Sequence, residues 1–134
     1  MKIHKIMTTK VGTISHRASI TNAAAKMREL NIGSLVVVNE EGVEGIITTW
    51  DIVSKCLGTG RDSSECLVFE IMTSPVHTAE FNTDVMEAAR VMAARKITRL
   101  PIIQNENLVG IVTFADISQA VDQFTKDVLG SWKT

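Results

Sequence analysis

The sequence predicts an α/β (α+β) chain made of two tandem β-α-β-β-α repeats packed with pseudo-twofold symmetry. Three observations predict it: a duplication without gaps, a hydrophobic period that switches at matching places in both copies, and a globular composition. Moved along by 65 positions, residues 6–53 lie over residues 71–118 with no insertion. Identical pairs include Ile6/Ile71, Met7/Met72, Thr8/Thr73, Met27/Met92, Gly45/Gly110, Thr48/Thr113 and Asp51/Asp116. Two copies cannot make a solenoid. A copy of about 50 residues is also too small to hold a comfortable core alone, so each is expected to complete the other. The repeats are expected at 1–57 and 66–134, the second ending in an extended helix, with a polar, glycine-rich linker at 58–65.

Each repeat opens on a short strand, expected near Val11–Ile14 and Val76–Ala79. Helical spacing follows in Ile20, Ala23, Ala24, Met27 and Leu30, and again in Val85, Ala88, Ala89 and Met92. Ser19 suits the N-cap of the first helix, and Asp84 with Glu87 resembles a capping box at the second. Aliphatic and β-branched runs at Ser34–Val38 and Arg99–Ile103 read as buried strands. Turn residues then lead into hairpin partners at Val43–Thr48 and Leu108–Thr113. Pro101 cannot donate to a ladder, so its strand is expected at a sheet edge or locally irregular, the latter leaving a carbonyl free for a ligand. A second helix begins near Thr48 or Thr49 and near Thr113. Its apolar stripe is Ile52, Val53, Cys56 and Leu57 in the first copy. In the second it is Ile117, Ala120, Val121, Phe124 and Val128, running toward Trp132.

Composition narrows the function. The chain has 134 residues, 45% of them hydrophobic, with 14 Lys and Arg against 15 Asp and Glu. A net charge of -1 supplies no field to gather nucleic acid or an anionic membrane. The longest aliphatic run, Leu35-Val36-Val37-Val38, is far short of a membrane span, and no signal-peptide pattern opens the chain. Cys56 and Cys66 fit neither a disulfide framework nor a C-x-x-C site. His4 and His16 show no ligand spacing, so no metal is assigned. His77 reads as a surface histidine with a second possibility beside the ligand, and Met7, Met27, Met72 and Met92 as core fillers. A soluble, cytoplasmic protein is expected.

Both copies carry Gly-Ile-aliphatic-Thr-x-x-Asp: Gly45 to Asp51 and Gly110 to Asp116. The motif puts Thr and Asp where a buried strand delivers the chain to a helix start, with free N–H groups suited to phosphate. Asp can accept from both hydroxyls of a ribose. The same Thr-x-x-Asp also suits a capping box that only closes the helix.

In its wider context the chain resembles the CBS-domain pair, or Bateman module. The resemblance rests on Ile6-Met7-Thr8 and Ile71-Met72-Thr73, on Ala23-Ala24-Ala25-Lys26-Met27 and Ala88-Ala89-Arg90-Val91-Met92, on Arg99-Leu100-Pro101-Ile102-Ile103, and on the doubled Gly-to-Asp motif. It implies two clefts between the repeats that bind an adenine nucleotide (AMP, ADP, ATP or a related adenosyl compound) as a regulatory ligand. By resemblance, Thr48 and Asp51 serve one cleft and Thr113, Asp116 and Arg99 the other. Thr13 and Ile14, and Thr78 and Ala79, would face the adenine. Arg99 has Ser34 as its counterpart, so the Asp116 cleft carries an obvious phosphate cation and the Asp51 cleft none of its own, unless Lys10 or Arg17 approaches. An arginine contact is worth ~1.5–3 kcal/mol, so unequal clefts are expected. Trp50 would stack on a base or pack on the neighbouring copy.

The leading expectation is a ligand-sensing homodimer that signals to another, unidentified protein. A scaffold whose motifs are only helix caps is the alternative. An enzyme is disfavoured, since no nucleophile with a local base, P-loop or metal constellation is present.

Overall fold

The computed structural model describes residues 1–132, with the backbone alone at Ser131 and Trp132; the side chain of Trp132, expected on the apolar stripe, lies outside the described residues. The chain folds as two compact units, Lys10–Val76 and Met1–Thr9 together with His77–Thr134. In the first, β1 (Thr13–Ser15), α1 (Ile20–Leu30), β2 (Ser34–Asn39), β3 (Gly42–Thr48), α2 (Thr49–Asp51) and α3 (Val68–Ile71) follow in order. In the second come β4 (Ala79–Glu80), α4 (Val85–Arg95), β5 (Arg99–Gln104), β6 (Asn107–Thr113) and α5 (Phe114–Trp132).

Both units use the same sheet, with the middle strand parallel to one neighbour and antiparallel to the other: β1-β2-β3 and β4-β5-β6. Thr13 pairs with Val36 and Ser34 with Thr48; Ala79 pairs with Ile102 and Arg99 with Thr113. A bulge interrupts each hairpin at the same place, between Val37 and Val38 and between Ile102 and Ile103. Both expected N-caps form: the Ser19 hydroxyl accepts from Asn22 N–H at 3.1 Å, and Asp84 accepts from Met86 N–H at 3.0 Å rather than closing a capping box with Glu87. α1 and α4 each stop on a residue in the left-handed region, Asn31 and Lys96. Ile20, Met27, Leu35, Val37 and Ile47 fill one core; Val85, Met92, Leu100, Ile102 and Val112 fill the other.

The Ile-Met-Thr segments do not merely open each repeat. Thr73 exchanges two backbone hydrogen bonds with Ile46 on β3, at 2.9 and 3.1 Å, and Thr8 does the same with Ile111 on β6, both at 2.9 Å. Each sheet thus gains a bridge from the segment that introduces the other repeat. The motif glycines permit it. A Cβ on Gly45 would meet the Thr73 carbonyl at 2.6 Å, and one on Gly110 the Met7 sulfur at 2.5 Å. Ile3, in a short 3-10 turn, is fully buried in the second core and donates its N–H to Thr83 at 2.7 Å.

Proline's missing N–H acts differently from the edge expectation. β5 is the central strand of its sheet, so Pro101 is not at an edge. The loss falls on the parallel neighbour. Val36 N–H donates to Gly12 at 2.9 Å in the first unit, whereas Pro101, its counterpart, has no N–H for His77. The first strand accordingly starts at Thr13 in one unit and only at Ala79 in the other.

After α2 the chain winds into a π-turn at Ile52–Cys56 and a 3-10 turn at Leu57–Thr59. The 58–65 segment turns at Gly60 and is held by an Arg61–Glu70 ion pair at 2.6 Å. Cys56 and Cys66 are free thiols buried in the same core, and burial pushes the Cys66 thiol up. Of the expected stripes, Ile52, Cys56 and Ile117 are buried, while Val53, Leu57, Val121 and Phe124 are exposed.

Candidate functional site

The strand-to-helix turn has one geometry in both units. Thr48 N–H donates to Asp51 Oδ2 at 2.9 Å, and Asp51 N–H donates to Thr48 Oγ1 at 3.1 Å. Thr113 and Asp116 repeat this with the same two distances. These are complete capping boxes, so each Asp spends one oxygen and each Thr one lone pair on the backbone. Thr49 N–H is also taken, by Gly33 at 3.0 Å, and Phe114 N–H by Thr98 at 2.9 Å. The expected row of free N–H groups for phosphate is therefore reduced: three of the four amides from Thr48 to Asp51 already have acceptors. The boxes form in both units because no helical turn precedes these first N–H groups to supply acceptors.

What remains free differs between the units. Asp51 is buried, and its Oδ1 lies 3.1 Å from Lys55 Nζ, one helical turn on. The expectation from sequence is an Asp51 turn with no phosphate cation of its own; Lys55, at i+4, is a cation beside it, paired with Asp51 itself. The residue matching Lys55 is Ala120, and Asp116 Oδ1 has no partner among the described residues. Asp116 is half-buried.

The neighbouring strands supply the rest. Thr13 and Ile14 lie on β1 and Ala79 on β4, with Thr78 just before it. Lys26, from α1, donates its ammonium to the Thr13 carbonyl. Its counterpart is Val91, and the Thr78 carbonyl has no partner among the described residues. Arg99 starts β5 and donates one guanidinium N–H to Thr98 Oγ1 at 3.2 Å. Ser34 holds the matching place on β2.

Other singled-out residues fall elsewhere. Trp50 is 70% exposed. His4 stacks on Phe81 with ring centroids 4.2 Å apart. His16 Nδ1 sits 3.3 Å from Glu44 Oε2. Among the described residues no cluster of three or more His, Cys, Asp or Glu could hold a metal ion, and no helix is long and apolar enough to cross a membrane.

The family model for the CBS domain matches residues 3–58 and again residues 68–123. The chain belongs to the CBS-domain family. Its CBS repeats are similar to the CBS domain-containing protein YhcV of Bacillus subtilis, 36% identical over 93% of this chain and 87% of that one. A CBS-domain protein of Agrobacterium tumefaciens has the same fold at a TM-score of 0.78 and 27% identity, covering 90% of this chain and 98% of that one. The CBS domain pair of protein MJ0100, solved with 5′-methylthioadenosine and S-adenosyl-L-methionine, reaches a TM-score of 0.79 at 32% identity over 92% of this chain and 97% of that one.

Sequence reasoning missed Lys26 and Lys55. Lys55 was readable, since it stands four residues after Asp51 on a helical stretch. Lys26 was not, because its reach depends on how α1 lies over β1.

Proposed function

We propose that this CBS pair is a regulatory module that binds an adenine nucleotide or related adenosyl ligand (AMP, ADP, ATP, 5′-methylthioadenosine or S-adenosylmethionine) and passes the signal to a partner protein. The observation that carries the reading is the open acceptor set at the second repeat. Asp116 Oδ1 and the Thr78 carbonyl have no donor of their own among the described residues, and a nucleoside brings hydroxyl and amine donors. In this reading Asp116 holds the ribose, Thr113 donates its hydroxyl hydrogen to the sugar or phosphate, and Arg99 offers its remaining N–H groups to phosphate. Thr78 and Ala79 meet the adenine. Thr48, Asp51, Thr13 and Ile14 form the corresponding set in the first repeat. The ligand-bound structure of a CBS pair 32% identical to this chain supports the ligand class.

Signal transfer needs a state that the ligand favours by its differential affinity. A homodimer would supply one. Val121 and Phe124 on α5 and Met86 on α4 line a hollow of about 460 Å³, and all three are exposed. Apolar surface of this kind is covered more often in assemblies than in monomers.

The test is a thermal-shift screen against the named compounds. A bound ligand at about 100 times its dissociation constant adds ~2.7 kcal/mol, enough for a clear rise in Tm. No shift with any of them contradicts the reading. One observation favours a second reading, a scaffold that binds nothing: the capping boxes are complete without a ligand. Under it, Asp116→Asn lowers stability and no ligand response exists to lose.

A further inference from the structure

Three oxygen acceptors on the first strand and the strand-to-helix turn are filled in the first repeat, and their counterparts are open in the second. In the first, the Gly12 carbonyl accepts from Val36 N–H at 2.9 Å, the Thr13 carbonyl accepts from Lys26 Nζ, and Asp51 Oδ1 lies 3.1 Å from Lys55 Nζ. In the second, the matching residues are Pro101, Val91 and Ala120, none of which has a donor to give. Among the described residues nothing donates to the His77 or Thr78 carbonyl or to Asp116 Oδ1.

We propose that Lys26 and Lys55 are built-in occupants of the first repeat's acceptors, holding that repeat closed to an adenosyl ligand. The chain then takes one such ligand per protomer, at the second repeat. This rests on the adenosyl-binding reading above. A ribose hydroxyl or adenine amine is a neutral donor, and in the first repeat it must displace an ammonium from a charge-assisted contact. In the second repeat it displaces only water. The two lysines reach in from different elements, α1 and the turn after α2, so both acceptors are guarded independently. Phosphate cannot reverse the preference easily, because Ser34 stands where the second repeat has Arg99.

The experiment is equilibrium dialysis with 5′-methylthioadenosine, which is neutral and probes the nucleoside contacts alone. The wild type binds one equivalent, lost in Asp116→Asn. Lys26→Val/Lys55→Ala, which installs the second repeat's residues, binds two, and adding Asp51→Asn removes the gained one. The reciprocal change, Val91→Lys/Ala120→Lys, weakens wild-type binding roughly tenfold or more; it decides the matter if the first double variant does not fold by circular dichroism. Two equivalents on the wild type, one on a folded Lys26→Val/Lys55→Ala variant, or an unweakened reciprocal variant overturns the proposal and leaves the adenosyl reading standing. No binding to any of these proteins overturns both.

Discussion

Lys55 Nζ lies 3.1 Å from Oδ1 of Asp51, and the position that matches Lys55 in the second repeat is Ala120. One duplicated turn has thus acquired an internal counterion and its copy has not. The acidic side chains are equivalent in sequence and inequivalent in what they can still accept.

The first consequence concerns stability. Asp51→Asn weakens a cap and leaves Lys55 without its carboxylate, whereas Asp116→Asn weakens only a cap. Asp51→Asn is expected to cost ~1–2 kcal/mol and Asp116→Asn ~0.5–1 kcal/mol, read from urea unfolding. A larger loss at Asp116 contradicts the geometry.

The motif glycines have a packing reason as well as a place in a motif. A Cβ on Gly45 would come within 2.6 Å of a backbone carbonyl that cannot swing aside. Gly45→Ala is expected to destabilise by about 1–3 kcal/mol. Gly60→Ala meets no atom within 4 Å, but its φ of +79° makes it strained for another reason. The discriminating measurement is amide exchange: Gly45→Ala exposes the Ile46 and Thr73 amides, and Gly60→Ala leaves them protected.

Ile3 belongs to the second core although the sequence places it in the first repeat. Truncating it to Ala removes a fully buried side chain and is expected to cost ~2–4 kcal/mol by denaturant titration. A near-neutral Ile3→Ala would mean the 3-10 turn does not pack as described.

Acid should lower stability through three of its exposed carboxylates. The Ser64 hydroxyl and N–H hold Asp62 below 3.8, the Leu67 N–H and then Arg61 hold Glu70 below 4.5, and the Met86 N–H does the same for Asp84. A carboxyl lowered by folding stabilises above its unfolded value and loses that contribution as pH falls through its folded one. Tm is therefore expected to change little from these groups above about pH 5.5 and to fall below about pH 4.5. A Tm that rises on acidification through that range contradicts the assignment.

Much of this was legible beforehand. Ser19 and Asp84 mark the starts of α1 and α4, the hairpin runs give β2, β3, β5 and β6 within a residue, and the duplication gives the two matching sheets. The N-terminal segment was not legible, because nothing local to Ile3 or Thr8 says which sheet they complete. Pro101 was read correctly as a missing donor, but the partner that loses it, His77, depends on strand order. Thr48, Asp51, Thr113 and Asp116 were found by their motif. Their unequal surroundings depend on Lys26 and Lys55, whose reach is set by packing.

The most direct test is calorimetric titration of AMP into the wild type, Asp51→Asn and Asp116→Asn, each checked for folding. The account predicts heat of binding for the wild type and Asp51→Asn, and its loss in Asp116→Asn. Equal losses in both variants, or no heat from the wild type with AMP or 5′-methylthioadenosine, would contradict it.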